Sequence, residues 1–219
     1  MVEGLWRRWA LATAAGETVG FLVPAVAAVL LPDGAGDAVR TVVFVAAGSL
    51  EGAILGWAQS RVLRAALPLV DARGWVFRTA LAAAVAWGIG LAPSLLGNRW
   101  SALSPLATAS LATVGGLLLL ASIGVAQWSV LRRSVRRSAS WIGWTALGWL
   151  AGLAVFMLVA TPLWRPGQSG LVIAVIGALA GALMAVTVGA VTGLGLARLL
   201  RPARTGAAVG ERRPRGMRA

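Results

Sequence analysis

The 219-residue chain has no cysteine, no histidine and no tyrosine, and its basic residues are all arginine because lysine is absent too. Without cysteine there is no disulfide, no thiolate nucleophile and no basis for inferring a redox compartment. Without histidine the usual zinc and axial haem ligand is missing. With neither histidine nor lysine, no serine can be paired with a side-chain base of that kind. No glycine-rich loop stands between a strand and a helix, so no phosphate cradle is implied. Asp33 and Asp37 fall in a turn and read as solvated turn residues rather than metal ligands. Neither a metal nor a cofactor is expected. Enzymatic chemistry has little to stand on beyond Glu17, Glu51, a few serines and threonines, and arginine.

Charge is also scarce. Only 12% of residues are charged, against about a quarter in a soluble domain, while 58% are hydrophobic and the mean hydropathy is +0.81. Several uncharged windows run for about 18–20 residues, enough to cross the hydrocarbon core of a bilayer as a helix. The short alternating segments of a β-barrel are missing. The expected fold is therefore an all-α membrane protein with six transmembrane helices, near residues 5–30, 41–63, 75–96, 106–131, 141–160 and 171–200. Residues 64–74, with Pro68, Asp71 and Gly74, read as a loop, as do Gly97-Asn98-Arg99 and Ser104-Pro105. Ala25-Val26-Ala27 resembles the cleavage site of a secretory signal, but Glu17 and Pro24 inside the apolar stretch oppose that. One transmembrane domain covers residues 1–201. Residues 202–219, rich in Arg, Gly and Pro, read as a disordered basic cytoplasmic tail.

The net charge of +13 would suggest nucleic acid in a soluble protein, but the arginines gather in short loops and the tail. Six helices put both termini on one side, and 17 of the 20 arginines fall on that side; only Arg40, Arg99 and Arg165 fall on the other. Positive charge in short loops marks the cytoplasmic face, so an N-in/C-in topology is expected. No nucleic-acid partner is expected. Membrane lipids are, with Arg61, Arg64, Arg132, Arg133, Arg136 and Arg137 as candidate contacts to anionic headgroups.

One pattern recurs. Gly56-Trp57-Ala58-Gln59-Ser60-Arg61-Val62-Leu63-Arg64 returns as Gly124-Val125-Ala126-Gln127-Trp128-Ser129-Val130-Leu131-Arg132-Arg133, and in worn form from Gly193 to Arg201. The preceding helices start alike at Trp6, Trp75 and Trp141, with periods of 69 and 66 residues. A recurring period points to one copied supersecondary unit. Copies that leave and re-enter on one face are related by an axis along the membrane normal. The expectation is three parallel two-helix hairpins, near residues 5–64, 75–133 and 141–201. The helix-start tryptophans read as interfacial anchors, with a tryptophan-lined ligand groove as the alternative.

Helices in lipid associate through small residues that let backbones approach. Gly48, Gly52 and Gly56 recur at four-residue spacing. Gly177, Gly181, Ala185, Gly189, Gly193 and Ala197 form a longer ridge, a glycine zipper whose partner is either internal or another subunit. Gly16 and Gly20, and Gly148 and Gly152, are shorter pairs.

Glu17 and Glu51 are the only acidic residues inside apolar helices. Counted from Arg8 and Arg61 they lie roughly 13–15 Å along their helices, so both can reach one level, with Thr13 a turn from Glu17. A charge at the bilayer centre costs at least about 2.5 kcal/mol. Three roles remain open: a protonated, hydrogen-bonded pair; a pair sharing a proton or cation, which would make a transport site; or contact with a partner subunit or cationic ligand. In the other hairpins Ala86 and Gly152 stand opposite Glu17, and Leu119 and Val188 opposite Glu51.

The paired helix ends and tryptophan-rich helix starts resemble a group of uncharacterised bacterial polytopic membrane proteins, which implies the inner membrane as location and carries no assigned activity. The size and small-residue motifs are also similar to the substrate-binding subunits of energy-coupling vitamin transporters. Two functions compete: a non-enzymatic accessory or scaffold subunit of a membrane complex, with a protein partner or homo-oligomer left open, and a small proton- or cation-coupled transporter or channel using Glu17 and Glu51.

Overall fold

The computed structural model describes residues 2–32 and 34–201. Asp33 and the expected basic tail at 202–219 lie outside the described residues. All the long regular elements are helices: α1 (Val2–Leu30), α2 (Asp37–Ala66), α3 (Ala72–Leu96), α5 (Pro105–Leu131), α6 (Ser140–Leu163) and α7 (Gly170–Leu199), with a single turn, α4 (Asn98–Ser101), between α3 and α5. The six long helices are long and apolar enough to cross a membrane, and the chain is an integral membrane protein by that measure.

Local chemistry sets the ends. Asp71 starts α3 by accepting from the Gly74 amide at 2.8 Å. Ser104 caps α5, with Pro105 following it, and Ser169 caps α7. Side-chain oxygens here meet amides that have no partner in the first turn. Gly97, at φ +47, ends α3 in a backbone conformation that glycine reaches without strain. The expected loop at 64–74 is shorter than its composition suggested, because α2 continues to Ala66 and the Asp71 cap starts α3 at Ala72. The expected turn at Asn98-Arg99 is the short helix α4.

The long helices form a ring. α1 packs on α2, α2 on α3, α3 on α5, α5 on α6, α6 on α7, and α7 closes onto α1. The beginnings of α1, α3 and α6 meet the ends of α2, α5 and α7 in one apolar core made by Trp9, Leu63, Val70, Trp75, Val130, Leu131, Trp141 and Leu196. At the opposite end Val29, Leu30, Leu106 and Leu171 are exposed, as expected for side chains that meet lipid rather than protein.

The glycine ridges pack inside the ring. A methyl group added at Gly189 would stand 2.6 Å from the Ala10 carbonyl oxygen, and one at Gly52 2.9 Å from that of Thr79. Gly181 faces Phe21, Gly193 faces Trp6 and Trp9, and Gly56 faces Val76 and Thr79. The α7 ridge is therefore a seam against α1. It is shorter than its sequence spacing suggested, because Gly177 meets only the edge of Trp164, at 3.8 Å.

Candidate functional site

Two polar layers lie inside the ring, one above the other. The first is a hub at the arginine-rich end. The indoles of Trp9, Trp75 and Trp141 meet around its centre, with ring centroids 6.1, 5.5 and 6.0 Å apart, and all three are essentially without solvent contact. They are not interfacial anchors, and they leave no groove between them. Each indole N–H has an acceptor on the neighbouring helix. Trp75 donates to Gln59 Oε1 at 3.3 Å, Trp141 to Gln127 Oε1 at 3.0 Å, and Trp9 to Thr192 Oγ1 at 3.0 Å. Gln59 donates to Thr13 at 3.3 Å, and Gln127 donates to Thr79 at 3.1 Å and to Gln59 at 3.0 Å. A buried network of this kind is strong when satisfied, and any group left out of it is penalised. The group left out is Thr145, whose hydroxyl is buried with no partner. Thr192 is too short to reach it as a glutamine would, and instead donates to the Val188 carbonyl at 2.7 Å.

These contacts give a register different from the one the sequence motifs suggested. Trp9, Trp75 and Trp141 correspond, at a spacing of 66 residues, and Trp6 does not belong to the set. Trp6 donates to the Ala190 carbonyl at 3.0 Å instead. Gly56, Gly124 and Gly189 each face the residue after a hub tryptophan: Val76, Ile142 and Ala10. Leu63, Leu131 and Leu196 occupy equivalent places in the core. The worn third motif is thus displaced by one helical turn, with Gly189 rather than Gly193 matching Gly56. Taking Trp9 in place of Trp6, a shift of three residues, replaces Ala86 and Gly152 by Ala83 and Trp149 as the counterparts of Glu17. The four-residue shift in α7 replaces Val188 by Met184, leaving Leu119 in place as a counterpart of Glu51.

Above the hub is a cavity of about 400 Å³. Its floor includes Leu55 and Ile123, one turn above Gln59 and Gln127. Glu17 and Glu51 both line it, so the structure brings together the two carboxyls that the sequence singled out. Thr13, placed with them from sequence, belongs to the hub and does not line the cavity. Glu17 is 1% exposed; no N–H or hydroxyl donates to its carboxyl, and the Glu51 carboxyl on the facing helix lies within hydrogen-bonding reach of it. Glu51 accepts from the Trp87 indole N–H at 2.9 Å. Trp87 is itself stacked on Phe44 at 5.7 Å, and a methyl group at Gly48 would collide with its ring. Gly20 lets α1 lie against Glu51, whose Cγ is 3.2 Å from where a side chain would begin. Phe21, Trp149 and Phe156 complete the aromatic wall, and no arginine lines the cavity among the described residues.

The arginines expected to meet lipid headgroups, Arg61, Arg64, Arg132, Arg133, Arg136 and Arg137, are all exposed. Arg61 lies over Trp57 at 5.0 Å and Arg132 over Trp128 at 5.2 Å. Among the described residues no three metal-ligating side chains cluster. The role of Gln59 and Gln127 as acceptors for indoles was not foreseen. The signal available was the recurrence of Trp followed four residues later by Thr, at 9 and 13, 75 and 79, and 141 and 145. In comparisons with known proteins, no family model matches the chain, and no curated protein or solved structure is significantly similar to it.

Proposed function

We propose that the protein is a small proton- or cation-coupled transporter whose binding site is the Glu17–Glu51 cavity. The observation that carries this is a buried pair of carboxyls, Glu17 and Glu51, within hydrogen-bonding reach of each other at the wall of one cavity. A bare charge at that depth is costly, and a proton or cation bound between the two groups removes the cost. The glycine ridges, whose partner the sequence left as either internal or another subunit, pack within the ring.

On this reading the three hairpins are copies of one unit, supported by the recurrent tryptophan, glycine and leucine contacts. Both termini and the arginine-rich loops are cytoplasmic, supported by the arginine distribution, with the exposed arginines meeting anionic headgroups. The cavity then lies on the outer side of a closed hub. Transport requires the hub to open, and Gln59, Gln127 and the three indoles are the contacts that hold it shut.

The test is proton flux into liposomes carrying the purified protein, read with an internal pH-sensitive dye. Wild type should pass protons under an imposed potential. The double variant Glu17→Gln, Glu51→Gln should melt like wild type and pass none. Undiminished flux in that variant, or no flux in wild type, would overturn the proposal. Failure of the double variant to fold would assign the pair a structural role instead.

A further inference from the structure

Resting on the transport reading, we infer that the cavity takes a hydrophobic organic cation, held by the Glu17 and Glu51 carboxyls and by the aromatic rings above them. Each competing ligand class meets an obstacle in the lining. An anion would face two carboxyls and no arginine. A desolvated metal cation needs several oxygen ligands, and apart from the two carboxyls no lining side chain carries oxygen. A neutral apolar molecule would offer the two carboxyls neither a charge nor a donor. A cation with an apolar body leaves nothing unmatched: its charge lies between the carboxyls, and its body meets Phe21, Trp87, Trp149 and Phe156. Aromatic faces attract cations most strongly where water is excluded. A volume of about 400 Å³ falls in the range that encloses a drug-sized molecule. Trp87 links the two parts of the site. Its N–H holds Glu51 Oε2, which fixes the Glu51 carboxyl at the cavity wall beside the buried Glu17. Proton and organic cation occupy the same carboxyls, so they compete, and binding of one releases the other.

Two probes of the same shape and opposite charge test this, tetraphenylphosphonium and tetraphenylborate, added to the full-length protein in detergent. Binding is read by tryptophan fluorescence and calorimetry against the double glutamine variant, and proton release is read in weak buffer. The phosphonium should bind saturably, at least about tenfold more tightly than the borate, with release of protons. Trp149→Leu should weaken phosphonium binding by about tenfold. Equal binding of both probes, or phosphonium binding that survives in the double glutamine variant, would overturn the inference. No phosphonium binding by a protein that still passes protons would overturn this ligand class and leave the transport reading standing. Absence of both activities would remove the two together.

Discussion

The two ends of the ring use the same six helices in opposite ways. At the arginine-rich end, equivalent positions carry the same residue: three tryptophans, three threonines at 13, 79 and 145, and three leucines at 63, 131 and 196. Eight residues after those tryptophans, on α1, α3 and α6, stand Glu17, Ala83 and Trp149; twelve residues before those leucines, on α2, α5 and α7, stand Glu51, Leu119 and Met184. The hub needs sameness because three large rings meet at one point and each must fit the other two. The cavity needs difference, because a ring of three identical side chains at its level would fill it or charge it three times over. The single departure in the hub, Thr192 where the other helices have glutamine, leaves a fault in Thr145. Departures around the cavity leave room for a ligand.

The largest expected effect separates the two ends directly. Trp141→Ala removes a buried ring at the centre of the hub and should cost about 3–5 kcal/mol, whereas Phe156→Ala at the cavity wall should cost much less. Melting curves in detergent that rank them equally would erase the contrast. Next, Gly189→Leu forces a side chain against the Ala10 carbonyl and should cost about 1–3 kcal/mol. Because this seam is internal, size-exclusion chromatography should show an unchanged particle; dissociation into smaller particles would place the seam between subunits. Gln127→Leu takes partners from Trp141 and Thr79 and should cost about 1–2 kcal/mol. The smallest effect is the sharpest. Thr79→Val loses the bond from Gln127 and should destabilise by about 1 kcal/mol, while Thr145→Val removes an unpartnered hydroxyl and should be neutral or stabilising. If the two variants melt alike, Thr145 is not the fault it is taken to be.

Much of this was legible in the chain. Apolar windows and turn residues located the six long helices to within a few residues, because a bilayer-crossing helix must be long and uncharged. Glu17 and Glu51 stood out because acid is rare in such a stretch. Which glycine of α7 packs against the residue after a hub tryptophan was not legible. The motif at Gly193 matches by letters, but Gly189 makes the equivalent contact, and in an α7 rich in small residues several alignments score alike. The hub was misread for a related reason. A tryptophan near a helix start resembles an anchor unless its neighbours across the ring are known.

Sequence alone determined that the chain forms six helices long and apolar enough to cross a membrane, since length and apolarity are properties of single segments. Which tryptophans meet, which glycines form a seam and which side of the hub holds a cavity depended on how the helices rotate about their axes. That rotation is set by packing among six helices at once, and no segment carries it by itself. The two glutamates were conspicuous as letters. They became a site only when closure of α7 onto α1 completed the ring and left both residues at the wall of the same cavity.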